Sequence, residues 1–170
     1  IEGHWYTTLT ELGNGNIWAA GGYKEDGNGS TSTEMWTGNS WVSSSGVTQT
    51  NSYWGTYPHM FLLEDGRLFY SGGHVFDAGL PGSGASLYNW MSGSIQDVPG
   101  LRDKDRRDQA GSVLLPPAQD QKVAIFGGGY TEIGAGGVAS TDVINLRDSA
   151  PHYHAAGNLP AGAMYVNAVT

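Results

Sequence analysis

The chain has 170 residues, 27 of them glycine, with 39% hydrophobic and only 14% charged residues. So few charges argue against a coiled coil, a long helical array or a charged disordered tail, and no apolar run approaches the roughly 18 residues that cross a bilayer as a helix. A formal net charge of −8 argues against nucleic-acid partners, because most of the surface repels a phosphate backbone.

In chain order, the first segment leads from Gly3-His4-Trp5-Tyr6 into a strand, a turn at Asn14-Gly15, a second strand and the glycine pair Gly21-Gly22. A third strand follows at Thr33–Trp36 and a short fourth is centred on Trp41. The same order returns from Tyr57, with a turn at Asp65-Gly66, the pair Gly72-Gly73, a strand at Ala85–Tyr88 and another around Ile95. Tyr6 to Tyr57 and Gly21 to Gly72 are both 51 residues apart, so these copies superimpose without a gap. Asn14-Gly15 and Asp65-Gly66 supply the positive φ that hairpin turns require.

Between the second and third copies lies the one basic cluster, Arg102-Asp103-Lys104-Asp105-Arg106-Arg107, whose interleaved aspartates read as a solvated loop. A third copy runs from Gly111 to Gly127-Gly128 with about three extra residues in its turn, then strands at Thr141–Ile144 and around Tyr153. A fourth starts at Tyr165-Val166-Asn167-Ala168-Val169-Thr170.

Four strands in about 50 residues with a double glycine after the second is the pattern of kelch-type β-propeller blades. The expected fold is therefore all-β, a partial propeller with blades at about 4–54, 55–108 and 109–162 and the first strand of another at 163–170. The glycines let backbones crowd near the propeller axis. Closed propellers hold about 4–8 blades, and an open arc leaves strand edges unpaired. The remainder of the propeller in a longer parent, or a second copy of the chain, is expected to close the ring.

Three lead-in sequences occur in order and in phase with the blades: His4-Trp5-Tyr6-Thr7, Tyr57-Pro58-His59-Met60-Phe61-Leu62 and Gly111-Ser112-Val113-Leu114-Leu115-Pro116. Over essentially the whole chain this resembles the galactose oxidase and glyoxal oxidase group of copper radical oxidases, most closely its bacterial, glyoxal-oxidase-like secreted members. The resemblance implies an enzyme that oxidises a primary alcohol or an aldehyde with dioxygen, releasing hydrogen peroxide. It further implies one copper held by two tyrosines and two histidines near the axis. One of those tyrosines is cross-linked to a cysteine of the preceding blade and stores an oxidising equivalent.

Tyr6 matches the cross-linked tyrosine, as a metal ligand and catalytic residue, and His4 stands where the family motif has arginine. The cysteine, the Tyr-His pair and the last histidine of the family pattern do not map onto this chain. It contains no cysteine, so no Cys-Tyr cross-link forms within it and disulfides and thiolate metal sites are likewise excluded. The resemblance also implies an extracellular protein, although residues 1–170 contain no signal-peptide pattern.

Other residues have weaker claims. Tyr53 and Trp54 precede a blade at a place where they would line a substrate pocket or fill the gap between blades. The family's sugar-binding arginine has no counterpart between Ile1 and Arg67, which leans the substrate toward small aldehydes or a different glycan end. The Tyr153-His154 pair lies in an outer strand and reads as structural, with His152 and His154 on one face as a weak rim metal pair. His59 and His74 read as buried, hydrogen-bonded residues. A non-catalytic module binding protein or glycan through the loops at Tyr23–Thr31 and Val75–Gly84 remains the alternative function.

Overall fold

The computed structural model describes residues 1–30, 32–44, 54–73, 82–131 and 134–169. In the first hairpin, β1 (Thr8–Glu11) pairs with β2 (Ile17–Ala20). Leu12 N–H donates to Asn16 O at 2.8 Å and Gly15 N–H to Leu12 O at 2.9 Å, closing a three-residue loop. Only Gly15 takes positive φ, at 81°, and only Gly66 does so in the second hairpin, at 84°. Asn14 and Asp65 act differently from the sequence expectation. Their side-chain oxygens accept the N–H groups of Asn16 and Arg67, which a three-residue loop brings within reach. The third hairpin is longer, carrying Pro116-Pro117 with a cis bond and a single 3-10 turn at Ala118–Asp120 before Gln121.

Each hairpin grows into a four-stranded antiparallel sheet in simple meander order. The first adds β3 (Thr33–Trp36) and β4 (Trp41–Ser43). The second comprises β5 (Met60–Leu62), β6 (Leu68–Tyr70), β7 (Ala85–Asn89) and β8 (Ser94–Val98). The third comprises β9 (Gly111–Leu114), β10 (Lys122–Phe126), β11 (Thr141–Asn145) and β12 (Tyr153–Ala155). Among the described residues this is an all-β arc of three propeller blades, as the repeat pattern implied. Residues 163–169 run beside the third blade without joining a sheet.

Strand alternation explains how the blades stack. Successive side chains point to opposite faces, so Leu68 and Tyr70 of β6 face the first blade while Phe69 faces the third. One core therefore joins Trp18, Trp54, Leu68 and Tyr88 between the first two blades. The other joins Phe69, Leu87, Val123, Ile125, Ile144 and Tyr153 between the last two.

Close backbone approach then explains the glycine pairs. A Cβ on Gly21 would lie 2.5 Å from the Gly55 carbonyl oxygen of the next blade, and one on Gly127 would lie 2.6 Å from Ala163 O. The second glycine of each of these pairs donates to the same oxygen, Gly22 to Gly55 O at 3.0 Å and Gly128 to Ala163 O at 2.8 Å. The pairs thus join one blade to the lead-in of the next.

Candidate axial site

β1 lies against β5, and residues of β1, β5 and β9 line a common cavity of about 500 Å³. The first strand of each blade is therefore the innermost, and the lead-in segments meet at its end. There the backbone repeats an unusual conformation. Tyr6, Tyr57, Gln109 and Tyr165 each stand at the same lead-in position with positive φ, at 69°, 50°, 58° and 56°. Left-handed backbone is uncommon for non-glycine residues and persists only where neighbours enforce it. Here the enforcement is visible: Tyr57 N–H donates to Tyr6 O at 2.8 Å and Tyr165 N–H to Gln109 O at 2.9 Å.

Tyr6 is half-buried in an aromatic stack. Its ring lies 3.9 Å from that of Trp5 and 4.8 Å from that of Tyr57, both stacked, and 6.4 Å edge-on from Tyr23. Trp5, Tyr57 and Tyr165 are exposed. Tyr57 continues into the cavity wall, which also includes His59, Asp108, Gln109 and Asn167.

Asp108 is the acidic residue of this wall. Thr56 Oγ1 donates to it at 3.2 Å and Gln109 Nε2 at 3.3 Å, yet burial dominates and raises its carboxyl above the ordinary range. Its charge in turn adds to the burial that raises the Tyr23 and Tyr70 hydroxyls. A carboxyl raised on folding binds its proton more tightly in the native state, so its stability contribution falls as pH rises from the ordinary carboxylate range through the raised value. Asp108→Asn is therefore expected to raise the melting temperature at about pH 7 and to leave it nearly unchanged at about pH 3. Thermal unfolding at both pH values checks this.

The other residues singled out by sequence fall as follows. Trp54 is fully buried in the first core, edge-on to Trp18 at 5.4 Å, with Nε1 donating to Ser86 Oγ at 3.3 Å. It fills the gap between blades and presents no surface to the cavity. Tyr53, His74 and most of the 75–84 loop lie outside the described residues. His59 is a hydrogen-bonded wall residue, its Nε2 2.9 Å from Ala110 O, and burial lowers its pKa. Tyr153 is buried in the second core, donating to Ser71 O at 2.5 Å. His154 on β12 and His152 just before it are exposed, with rings 4.1 Å apart.

The basic stretch requires a correction. Arg107 is fully buried, not solvated: its guanidinium bonds the Asp142 carboxylate, Gly127 O at 2.9 Å, Ser140 O at 2.7 Å and Arg102 O at 3.0 Å. Arg102 binds the other oxygen of Asp142 at 2.6 Å. Local composition concealed this because the carboxylate that draws Arg107 inward lies 35 residues away.

Among the described residues no group of three or more His, Cys, Asp or Glu side chains has the arrangement of a metal site. Tyr6 offers one oxygen donor, so the described residues by themselves do not fit a complete copper centre.

No family model and no curated protein matches the sequence. Among solved structures, a fungal alcohol oxidase of the AA5 family, determined in complex with copper, is similar over 96% of this chain, with TM-score 0.71 and 17% identity. YjhT is similar over 94% of the chain, with TM-score 0.65 and 11% identity. At these identities the likeness establishes the fold, a partial β-propeller. The chain spans 34% of the oxidase and 53% of YjhT.

Proposed function

We propose that this chain is the early propeller region, of kelch type, in a secreted copper radical oxidase that converts primary alcohols or aldehydes to more oxidised products with release of hydrogen peroxide. The observation that carries the reading is the place of Tyr6. It stands at the inner end of the first blade, half-buried and stacked between Trp5 and Tyr57, where the motif resemblance puts the ligand tyrosine. The similar AA5 oxidase, solved with copper, supports it.

Copper, when bound, would accept one of the two electrons taken from substrate. This chain would contribute the Tyr6 phenol as one ligand and the aromatic wall that shields it. The other ligands, and the blades that close the ring, would come from further parts of a longer protein.

The test is copper analysis and a peroxide assay on small primary alcohols and aldehydes, using the longer protein. About one copper per chain and peroxide release are expected. Tyr6→Phe should reduce turnover by more than about 100-fold, the upper end of losses seen when a group that merely supports a ligand is removed. Turnover unchanged in Tyr6→Phe would refute the assignment.

A further inference from the structure

His4 and Arg107 occupy the same place in their blades, two residues before the left-handed lead-in residues Tyr6 and Gln109. Their contacts also correspond. Arg107 donates to Gly127 O, the first carbonyl of the third blade's glycine pair, and binds Asp142. His4 places Nδ1 3.0 Å from Gly21 O, the first carbonyl of the first blade's pair, and Nε2 3.4 Å from the Glu34 carboxylate.

Strand register makes the two acids equivalent. Asp142 is the second residue of β11 and pairs with Ile125, while Glu34 is the second residue of β3 and pairs with Ala19. In the second blade the corresponding residue is Ser86, paired with Tyr70. Gly55 has no side chain to reach it, and the Trp54 indole N–H does so instead. The second and third blades therefore tie their lead-ins to the second residue of their third strands, and in the first blade His4 Nε2 lies beside that residue.

We propose that His4 is a positioning residue for Tyr6. Its imidazole fastens the first lead-in to Gly21 O, with Nε2 lying near Glu34 without a hydrogen bond to it, at the place where Arg107 fastens the third. The tie is needed because Tyr6 holds a left-handed conformation with φ 69°. On the far side Thr7 Oγ1 donates to Ala20 O at 2.7 Å, so His4 and Thr7 grip the backbone on both sides of Tyr6. Glu34 is itself held, accepting the Glu2 N–H at 2.8 Å. The His4 side chain is only 9% exposed, so little water competes for these contacts. The inference goes beyond the oxidase reading and holds or fails without copper.

The test is site-resolved hydrogen exchange on the copper-free 170-residue chain. The reporter is the Tyr57 amide, which donates to Tyr6 O, and the Val123 amide in the third blade is the control. His4→Ala is expected to speed exchange at Tyr57 by roughly tenfold relative to Val123, the factor that accompanies loss of about one hydrogen bond's stabilisation. His4→Arg should restore protection, because its guanidinium reaches the same carbonyl and carboxylate. Equal changes at both amides in His4→Ala, or exchange in His4→Arg as fast as in His4→Ala, would overturn the proposal. If His4→Ala does not fold, His4→Arg decides: native protection at Tyr57 supports the tie, and an unfolded His4→Arg chain refutes it.

Discussion

Replacing Arg107 with alanine is expected to lower stability by about 3–5 kcal/mol, the range for removing one partner of a buried ion pair. Asp142 is wholly buried, and without Arg107 it keeps only the half-exposed Arg102. The same substitution removes the guanidinium donor from the carbonyls of Gly127 and Arg102, and leaves Ser140 O with the Gly127 N–H alone. In a chain of this size the loss corresponds to a fall of roughly 10 °C in melting temperature. Arg107→Lys should recover little, since a single ammonium cannot make the several directed bonds of the guanidinium fork. Denaturant titration of the variants checks the value, and a loss below about 1 kcal/mol would show the cluster to be dispensable.

Gly21→Ala carries the second large effect, at least about 2 kcal/mol. Left-handed φ costs a residue with a side chain roughly 1–2 kcal/mol, and here the new Cβ would also press against backbone, 2.5 Å from Gly55 O. Gly15 separates the two contributions. It has nearly the same φ, 81° against 76°, but nothing within 4 Å of a built Cβ. Gly15→Ala should therefore cost only the conformational part, about 1 kcal/mol. Urea unfolding of the pair measures blade-to-blade crowding as the difference, and equal losses would show that the glycine pairs serve turn conformation alone.

The blades were legible because they rest on local signals that recur. Strand patterning, turn residues and paired glycines lie close together in sequence, and the twelve strands of the described residues fall where the repeat placed them, whereas residues 163–169, expected to open another blade, join no sheet. Turn chemistry was legible only to the dipeptide level. Asn14 and Asp65 act through their side chains, which depends on the hydrogen-bonded loop length and not on the pair itself.

The axial arrangement was hidden for a different reason. Arg107, Asp108 and Gln109 look like a charged loop, yet Thr56 before the second blade, Gly127 and Asp142 of the third, and Tyr165 beyond it converge on them from distant parts of the chain. The usable signal was phase: Arg107 stands two residues before the lead-in position, as His4 does before Tyr6. Tyr6 was found by motif resemblance, while the left-handed backbone it shares with Tyr57, Gln109 and Tyr165 emerges only from the fold. Trp54 illustrates the converse. An aromatic residue beside a blade left open a pocket wall or a filler between blades, and packing takes it into the inter-blade core.

In the proposed function Tyr6 is the cross-linked copper ligand of a longer oxidase. Its most direct test is mass spectrometry of the Tyr6 peptide from the copper-loaded, air-exposed longer protein. The expected product is that peptide joined to a cysteine-containing peptide from outside residues 1–170, lighter by the two hydrogens lost in forming the thioether. A Tyr6 peptide recovered wholly unlinked from copper-loaded protein would contradict it.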